Sequence, residues 1–269
     1  MNVSPTPYLA RWDLVPDGAP IVTPGSRLLP VRQGATPAML KIALADEERA
    51  GARLMAWWDG DGAARVLAQD GDAILLERAQ GTASLAALAR GGQDDAACRI
   101  LCQAASRLHM PRARPLPDLV PLSWWFRGLA PAAAQHGGIL ARSAAAADAL
   151  LAAPQDVVVL HGDIHHGNVL DFGPRGWLAI DPKGLLGERG FDYANLFCNP
   201  DAQTALAPGR FRRRVAVVAA AAGLDHQRLL RWILAWAGLS SAWLMADGAD
   251  PAMRLEVATL AAAELSSRA

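Results

Sequence analysis

Lysine is nearly missing from this chain. Lys41 and Lys183 are the two lysines among 26 basic residues, and the rest are arginines. No Gly-Lys-Ser or Gly-Lys-Thr occurs anywhere, which excludes a Walker-type phosphate loop. Cysteine is scarce as well: Cys98, Cys102 and Cys198 are the three in 269 residues, without a Cys-x-x-Cys pair. An odd, widely spaced set makes no disulfide framework and lacks the spacing of a thiolate zinc site, so free thiols in a reducing compartment are expected. An excess of either charge is also absent, since 26 basic residues face 26 acidic ones. That balance excludes a nucleic-acid binder held by phosphate contacts and a polybasic membrane anchor. The opening MNVSPTPYLARWD has no basic region leading into an apolar run, so no secretory leader is read there. The longest suspicious apolar stretch, Trp232 to Ala246, has 15 residues including two serines. It falls short of the about 20 a bilayer requires and reads as a buried helix. A cytoplasmic location is the default expectation, and size alone suggests a monomer.

What is present divides into two parts. Up to residue 79, short apolar pieces at Arg27–Val31, Ala38–Leu44, Arg65–Gln69 and Ala73–Glu77 alternate with PDG, PG, GDG and DGD turn signals, the pattern of strands. One helix interrupts them, opening on Asp46, Glu47 and Glu48 and stopping at Asp59-Gly60; acids in the first turn suit the helix dipole. Beyond Gly81 the spacing turns helical, at Ser84–Ala89, Asp94–Leu108, 138–153, 211–223, 226–246 and 251–267, with a Pro-rich connector from Pro111 to Pro121. β-Branched runs return only between Val157 and Asp181. The fold class expected is α+β: a strand-rich lobe over residues 1–79, a connector near 77–81, and a helical lobe over 80–269 carrying one embedded hairpin.

That hairpin carries the chemistry. The strand Val157–Leu160 runs into a polar loop with His161, Asp163, His165, His166 and Asn168; a second strand, a GPRG turn and the return strand Trp177–Ile180 then deliver Asp181. The hairpin folds Asn168 back beside Asp181, with Asp163 just before. An amide oxygen and a carboxylate suit Mg2+, a hard cation that keeps waters for a phosphate substrate to replace. Asp163 could take the proton of a hydroxyl attacking that phosphate. A lone Asp in a loop usually caps or turns; the combination of all three is far more specific. A rival arrangement, His161, Asp163, His165 and His166 as a hydrolytic metal cluster, leaves Asn168 and Asp181 without a purpose.

LHGDIHHGNVL followed by IDPKG resembles the aminoglycoside phosphotransferase family, and the stretch through GERGFDYANLF is similar to its streptomycin 6-phosphotransferase and hydroxyurea-resistance kinase branch. Weaker similarity extends through AMLKIA, WWDGDGAARVL, ILLERA, SRLHMP and LSSAWLMADG. The resemblance implies a two-lobed, protein-kinase-like fold and ATP-dependent transfer of a phosphoryl group to a small hydroxylated acceptor, an aminoglycoside first, with antibiotic resistance as the outcome. It implies Asp163 as the catalytic residue, Asn168 and Asp181 as Mg2+ ligands, and His161 as a structural loop histidine. Lys41 then matches the phosphate-binding lysine, with Glu48 as its carboxylate partner and Glu47 one residue out of register. Glu77, Arg78 and Ala79 match the connector whose backbone meets the adenine. Asp192 matches a brace for the catalytic loop. Lys183 is expected to be a solvated loop lysine. A nucleotide-covering loop is expected near Gly25-Ser-Arg27, although no GxGxxG occurs there.

The acceptor leaves less of a mark. Asp201, Asp247, Asp250 and Glu256 are candidates for an acidic pocket, yet from residue 192 onward 7 acidic residues face 8 basic ones. Trp232, Trp236 and Trp243 share roughly one helical face and read as core before they read as a sugar-stacking wall. Two alternatives stand beside the aminoglycoside kinase: a kinase for hydroxyurea or another hydroxylated metabolite, and a nucleotide-binding pseudoenzyme, against which Asp163, Asn168, Asp181 and Lys41 all argue.

Overall fold

Strand alternation decides which way Lys41 faces. In the computed structural model, which describes residues 4–267, Thr36–Ala43 forms β4 of a six-stranded antiparallel sheet. Ala38, Leu40 and Ile42 point to one face and are buried with Leu14, Leu29, Val31 and Leu75 in a small outer core. Each large side chain there removes enough apolar surface to contribute about 1.5–3 kcal/mol. Because side chains alternate, Lys41 must project from the opposite face. The other strands are β1 (Leu14–Pro16), β2 (Ile21–Val22), β3 (Ser26–Gln33), β5 (Val66–Asp70) and β6 (Ala73–Glu77), in the order β1-β3-β4-β6-β5 with β2 beside β3. A short helix, α1 (Thr6–Arg11), precedes them.

Helix α2 (Asp46–Trp58) lies between β4 and β5 in sequence and buries Leu54, Met55 and Trp58 in the main core. Its first turn holds Asp46, Glu47 and Glu48, and it ends where Asp59 adopts a left-handed conformation. Gly51 faces the loop of Pro182 so closely that an added Cβ would collide with the Pro182 carbonyl oxygen. The collision is with backbone and cannot be relieved by a rotamer change. Gly51→Ala is therefore expected to push α2 off that loop and to lower turnover at least tenfold, at a stability cost of about 1–3 kcal/mol. Activity and thermal unfolding of the variant check this; wild-type turnover would show that the helix tolerates the shift.

The helical lobe follows: α3 (Leu85–Arg90), α4 (Asp94–His109), α5 (Leu122–Trp125), α6 (Leu129–His136), α7 (Gly138–Ala152), α8 (Ala202–Ala205), α9 (Arg210–Ala222), α10 (His226–Ala246) and α11 (Ala252–Ser266). Helices α7, α9, α10 and α11 fall within a residue or so of where the sequence marks them, whereas the short α8 was not anticipated. The long helix α10 is apolar enough by length and composition to cross a membrane, but Leu229 to Ala242 is almost wholly buried against other helices. It is the axis of the main core, packed against α7 and α11. Embedded among these helices are a hairpin, β9 (Val169–Asp171) with β10 (Trp177–Ala179), and a three-stranded sheet. In that sheet β11 (Leu185–Glu188) runs parallel to β7 (Val120–Pro121) and antiparallel to β8 (Val157–Leu160). Neither β7 nor β11 was legible locally: both are short, and only the pairing across the lobe makes them strands. Helix α6 was missed as well, because Pro131 stands in its first turn, where a missing N–H costs nothing.

Backbone groups of the strand-rich lobe and of the connector tie down the embedded hairpin. Ala64 N–H donates to the Ala179 carbonyl and Ala179 N–H to that of Gly62. Gly81 N–H donates to the Asp171 carbonyl at 2.9 Å, and Ala83 N–H to an Asp171 carboxylate oxygen. The hairpin is thus held from the strand-rich side, and Asp181 at its end faces β4.

Candidate active site

Residues 140 positions apart meet here. The Lys41 ammonium is ion-paired with both Asp181 and Glu48, and only 9% of its side chain is exposed. Of the two acids considered as its partner, Glu48 forms this pair; Glu47 lies one position on and turns instead to Lys183, at 2.9 Å. One residue rotates a helix by about 100°, which separates the two roles. Gly25, at the β2–β3 turn where a covering loop was expected, abuts the Glu48 side chain. Asp181 sits at φ 61°, a left-handed conformation costly for a side chain other than glycine. Burial alone would push its carboxyl up, but Lys41 and Lys183 outweigh that and hold it below the usual range.

The catalytic-loop segment is built on His161 and Asp192. Asp192 is fully buried and accepts from His161 N–H at 2.9 Å, Gly162 N–H at 2.7 Å and the His109 ring at 2.7 Å. It therefore fixes the backbone just before Asp163. His161 stacks on Trp58 of α2, its Nε2 lies 2.8 Å from the Ile180 carbonyl, and its Nδ1 accepts from Asp163 N–H at 3.2 Å. Burial depresses its pKa to about 4, so the neutral ring donates through Nε2. The loop histidine is thereby a clamp between β10 and Asp163.

Asp163 accepts three hydrogen bonds from side-chain amides, two at its carboxylate and one at its carbonyl. Asn168 Nδ2 donates to its Oδ2 at 3.2 Å and to its carbonyl at 3.0 Å; Asn195 Nδ2 donates to its Oδ1 at 2.6 Å. Burial pushes its carboxyl up to about 7, with Lys183 opposing and Asp181 and Glu47 reinforcing the rise. Asn195 went unnoticed in the sequence; it lies three residues after Asp192, and only folding turns it onto Asp163. Since the Asn168 amide nitrogen is committed to Asp163, its Oδ1 is the free donor atom, and Asp181 supplies carboxylate oxygen. These hard oxygens fit Mg2+. The rival cluster of His161, Asp163, His165 and His166 is not assembled: no group of three metal-binding side chains forms among the described residues. His165 Nδ1 accepts from Gly167 N–H, and His166 is buried away from the others' donor atoms.

Beside Asp163 opens a cleft of about 620 Å3. It is lined by Asp46, Glu47 and Arg53 of α2, by Trp124, Trp125 and Arg127, and by Trp236, Trp243 and Asp247. Three sequence expectations are corrected by it. Of the three tryptophans on α10, Trp232 and Trp236 are core as expected, Trp232 donating to Glu188 at 2.7 Å and Trp236 also bordering the cleft, whereas Trp243 is 36% exposed and lines it. Of the four candidate acids, Asp247 alone reaches it. Asp201 caps α8 and pairs with Arg90, Asp250 accepts from Ala252 N–H just before α11, and Glu256 lies elsewhere on α11. Lys183 is not a solvated loop lysine: its side chain is 15% exposed and lines the cleft. On the connector, the Glu77 carboxylate accepts from Arg65 N–H and pairs with Arg175, while Glu77 N–H bonds the Arg65 carbonyl. Ala79 lies two residues further, past the end of β6.

Known proteins point the same way. The family model for aminoglycoside/hydroxyurea antibiotic resistance kinases matches residues 11–248. The chain is 57% identical over 245 residues to streptomycin 3''-kinase of Klebsiella pneumoniae, covering 89% of this chain and 92% of that one. It is 32% identical over 265 residues to streptomycin 6-kinase of Streptomyces glaucescens, covering 91% and 84%. In fold it is similar to the aminoglycoside phosphotransferase APH(3'')-Id of Streptomyces rimosus, solved in complex with ADP and streptomycin, with a TM-score of 0.59 and 22% identity over 88% of this chain and 99% of that one. The chain is a phosphotransferase with a kinase-like fold and belongs to the aminoglycoside/hydroxyurea antibiotic resistance kinase family.

Proposed function

We propose that the protein transfers the γ-phosphoryl group of ATP to a hydroxyl of a streptomycin-type aminoglycoside. The observation that carries this reading is the place of Asp163, between the acid- and tryptophan-lined cleft on one side and the Lys41, Asn168 and Asp181 cluster on the other. A cationic acceptor suits Asp46, Glu47 and Asp247, and a sugar face suits the indoles. Nucleotide phosphates would lie against Lys41, held by Glu48. The purine would meet the connector at Glu77–Ala79, between lobes spanning 1–79 and 80–269. Asn168 and Asp181 would hold Mg2+, which neutralises phosphate charge when bound. Asp163 orients the acceptor hydroxyl and takes its proton. The transition state is loose, so positioning and charge compensation supply most of the acceleration. Use of ATP supports a cytoplasmic setting.

The relative of higher identity supports the 3'' hydroxyl over the 6 hydroxyl to which the sequence resemblance pointed. ADP release with a panel of streptomycin, other aminoglycosides and hydroxyurea tests the function. Streptomycin is expected to give the highest kcat/KM, with the product phosphorylated at 3'' by phosphorus–proton correlation spectroscopy. Turnover of hydroxyurea alone would overturn the acceptor assignment, and no turnover of any acceptor would overturn the activity.

A further inference from the structure

Lys183 lines the cleft together with Asp163. Its backbone N–H donates to the His161 carbonyl at 2.7 Å, and its Cβ would lie 2.9 Å from a Cβ added to Gly162, the residue preceding Asp163. Gly162 itself has φ 87°. Both the missing side chain and the positive φ let the lysine stem pass directly over the catalytic loop. The ammonium then reaches the cleft wall beside Asp163, tied to Glu47 at 2.9 Å and near Glu48 at 3.7 Å. The chain has two lysines, and both are nearly buried around the catalytic loop: Lys41 pairs with Asp181, and Lys183 lines the cleft beside Asp163. A buried ammonium is costly unless it is paired, and Glu47 supplies the pair from a different lobe.

The geometry points to Lys183 as a second phosphoryl-contacting cation, a catalytic residue that stabilises the group in flight, with Glu47 as its positioning residue. This rests on the phosphoryl-transfer reading above. In the step, the acceptor oxygen forms its bond to the γ-phosphorus as the bond from that phosphorus to the β–γ bridging oxygen breaks. The breaking bond's electron pair leaves with ADP, and the hydroxyl proton passes to Asp163. Lys183 keeps its proton throughout and hydrogen-bonds the equatorial phosphoryl oxygens, whose charge it meets at short range. Lys41 serves the nucleotide before and after transfer; Lys183 acts on what moves between.

The test compares wild type with Lys183→Met, Lys183→Arg and Glu47→Gln in turnover and in binding. Lys183→Met is expected to lower kcat by about 10²–10³-fold, the usual loss for a charge-stabilising donor, while KM for the acceptor and Kd for ADP stay within about threefold. Lys183→Arg keeps the charge and is expected to recover at least about tenfold of that kcat. Glu47→Gln, which loosens the tether, should fall between. The second readout is calorimetry of ADP with Mg2+ and aluminium fluoride, without acceptor. Wild type is expected to bind ADP more tightly with the fluoride, and Lys183→Met to lose at least about tenfold of that gain. Should the Met variant lose its fold by thermal unfolding, Lys183→Gln, which can still hydrogen-bond Glu47, takes its place. An unchanged fluoride gain in the charge-free variant, or no gain in wild type, overturns the assignment, as does a kcat within about threefold of wild type. Failure of wild type to phosphorylate any acceptor, with the fluoride gain intact and lost in the variant, counts against the function and not against Lys183.

Discussion

Asp163→Asn is expected to lower kcat for phosphoryl transfer by about 10²–10⁴-fold, the range a positioned base contributes, with the fold retained. The substitution is nearly isosteric but reverses one hydrogen bond. Both carboxylate oxygens of Asp163 accept from amides, Oδ1 from Asn195 at 2.6 Å and Oδ2 from Asn168 at 3.2 Å. An asparagine in that place must set its own NH2 against one of those two donors. The neighbour that yields is expected to be Asn168, the longer contact, and its rotation would turn Oδ1 away from the Asp181 side. The variant thus loses the proton acceptor and disturbs the oxygen donor set together, at a cost of about 1–3 kcal/mol for the donor left unpaired. Steady-state ADP release and thermal unfolding measure the two effects separately. Near-normal turnover in a folded Asp163→Asn sample would remove Asp163 from the mechanism.

Arg214→Met should be the most destabilising of the substitutions considered, by about 3–5 kcal/mol, because it strands a buried charge. Arg214 is 1% exposed on α9 and grips both carboxylate oxygens of Asp94 on α4, at 2.7 to 3.1 Å. Its remaining nitrogen donates to the carbonyls of Leu196 at 3.0 Å and Asn199 at 2.7 Å. All its partners are acceptors, so no methionine rotamer can satisfy them. A loss of that size in a protein of this length lowers Tm by roughly 6–20 °C. The effect should reach catalysis, since Asn199 Nδ2 donates to Asn195 Oδ1 at 3.0 Å, and Asn195 holds Asp163. Chemical denaturation gives the stability and kcat gives the transmitted part. A loss below about 1 kcal/mol would mean that Arg210, 3.0 Å from Asp94, carries the charge alone.

The residues legible in the sequence were those whose geometry is local. Asp163, Asn168 and Asp181 lie within one loop and one hairpin, and a tight two-stranded return has few ways to arrange them. Lys41 could be placed because AMLKIA resembles the family's strand with the phosphate-binding lysine; strand alternation then sets its face. Glu48 could be preferred over Glu47 by the resemblance, counting back from Trp57, Trp58, Asp59 and Gly60. Residues set by the meeting of distant elements were misjudged or missed. Lys183 looked like a loop lysine because nothing nearby in sequence reveals that Gly162 clears its path or that Glu47 waits across the cleft. Trp236 and Trp243 have the same helical spacing as Trp232. Trp232 and Trp236 are buried, while Trp243, further along the helix, is 36% exposed at the cleft.

The amino-acid sequence by itself determined the two-part organisation, the chemistry available and the polarity of the catalytic hairpin, since periodicity, turns and contiguous motifs act over a few residues. Tertiary structure alone decided which polar groups face one another: Lys41 with Asp181, Lys183 with Glu47, Asn195 with Asp163. Those pairs join segments 32 to 140 residues apart, and only burial of a shared core brings such segments within the few ångströms at which Coulombic attraction and hydrogen bonding act.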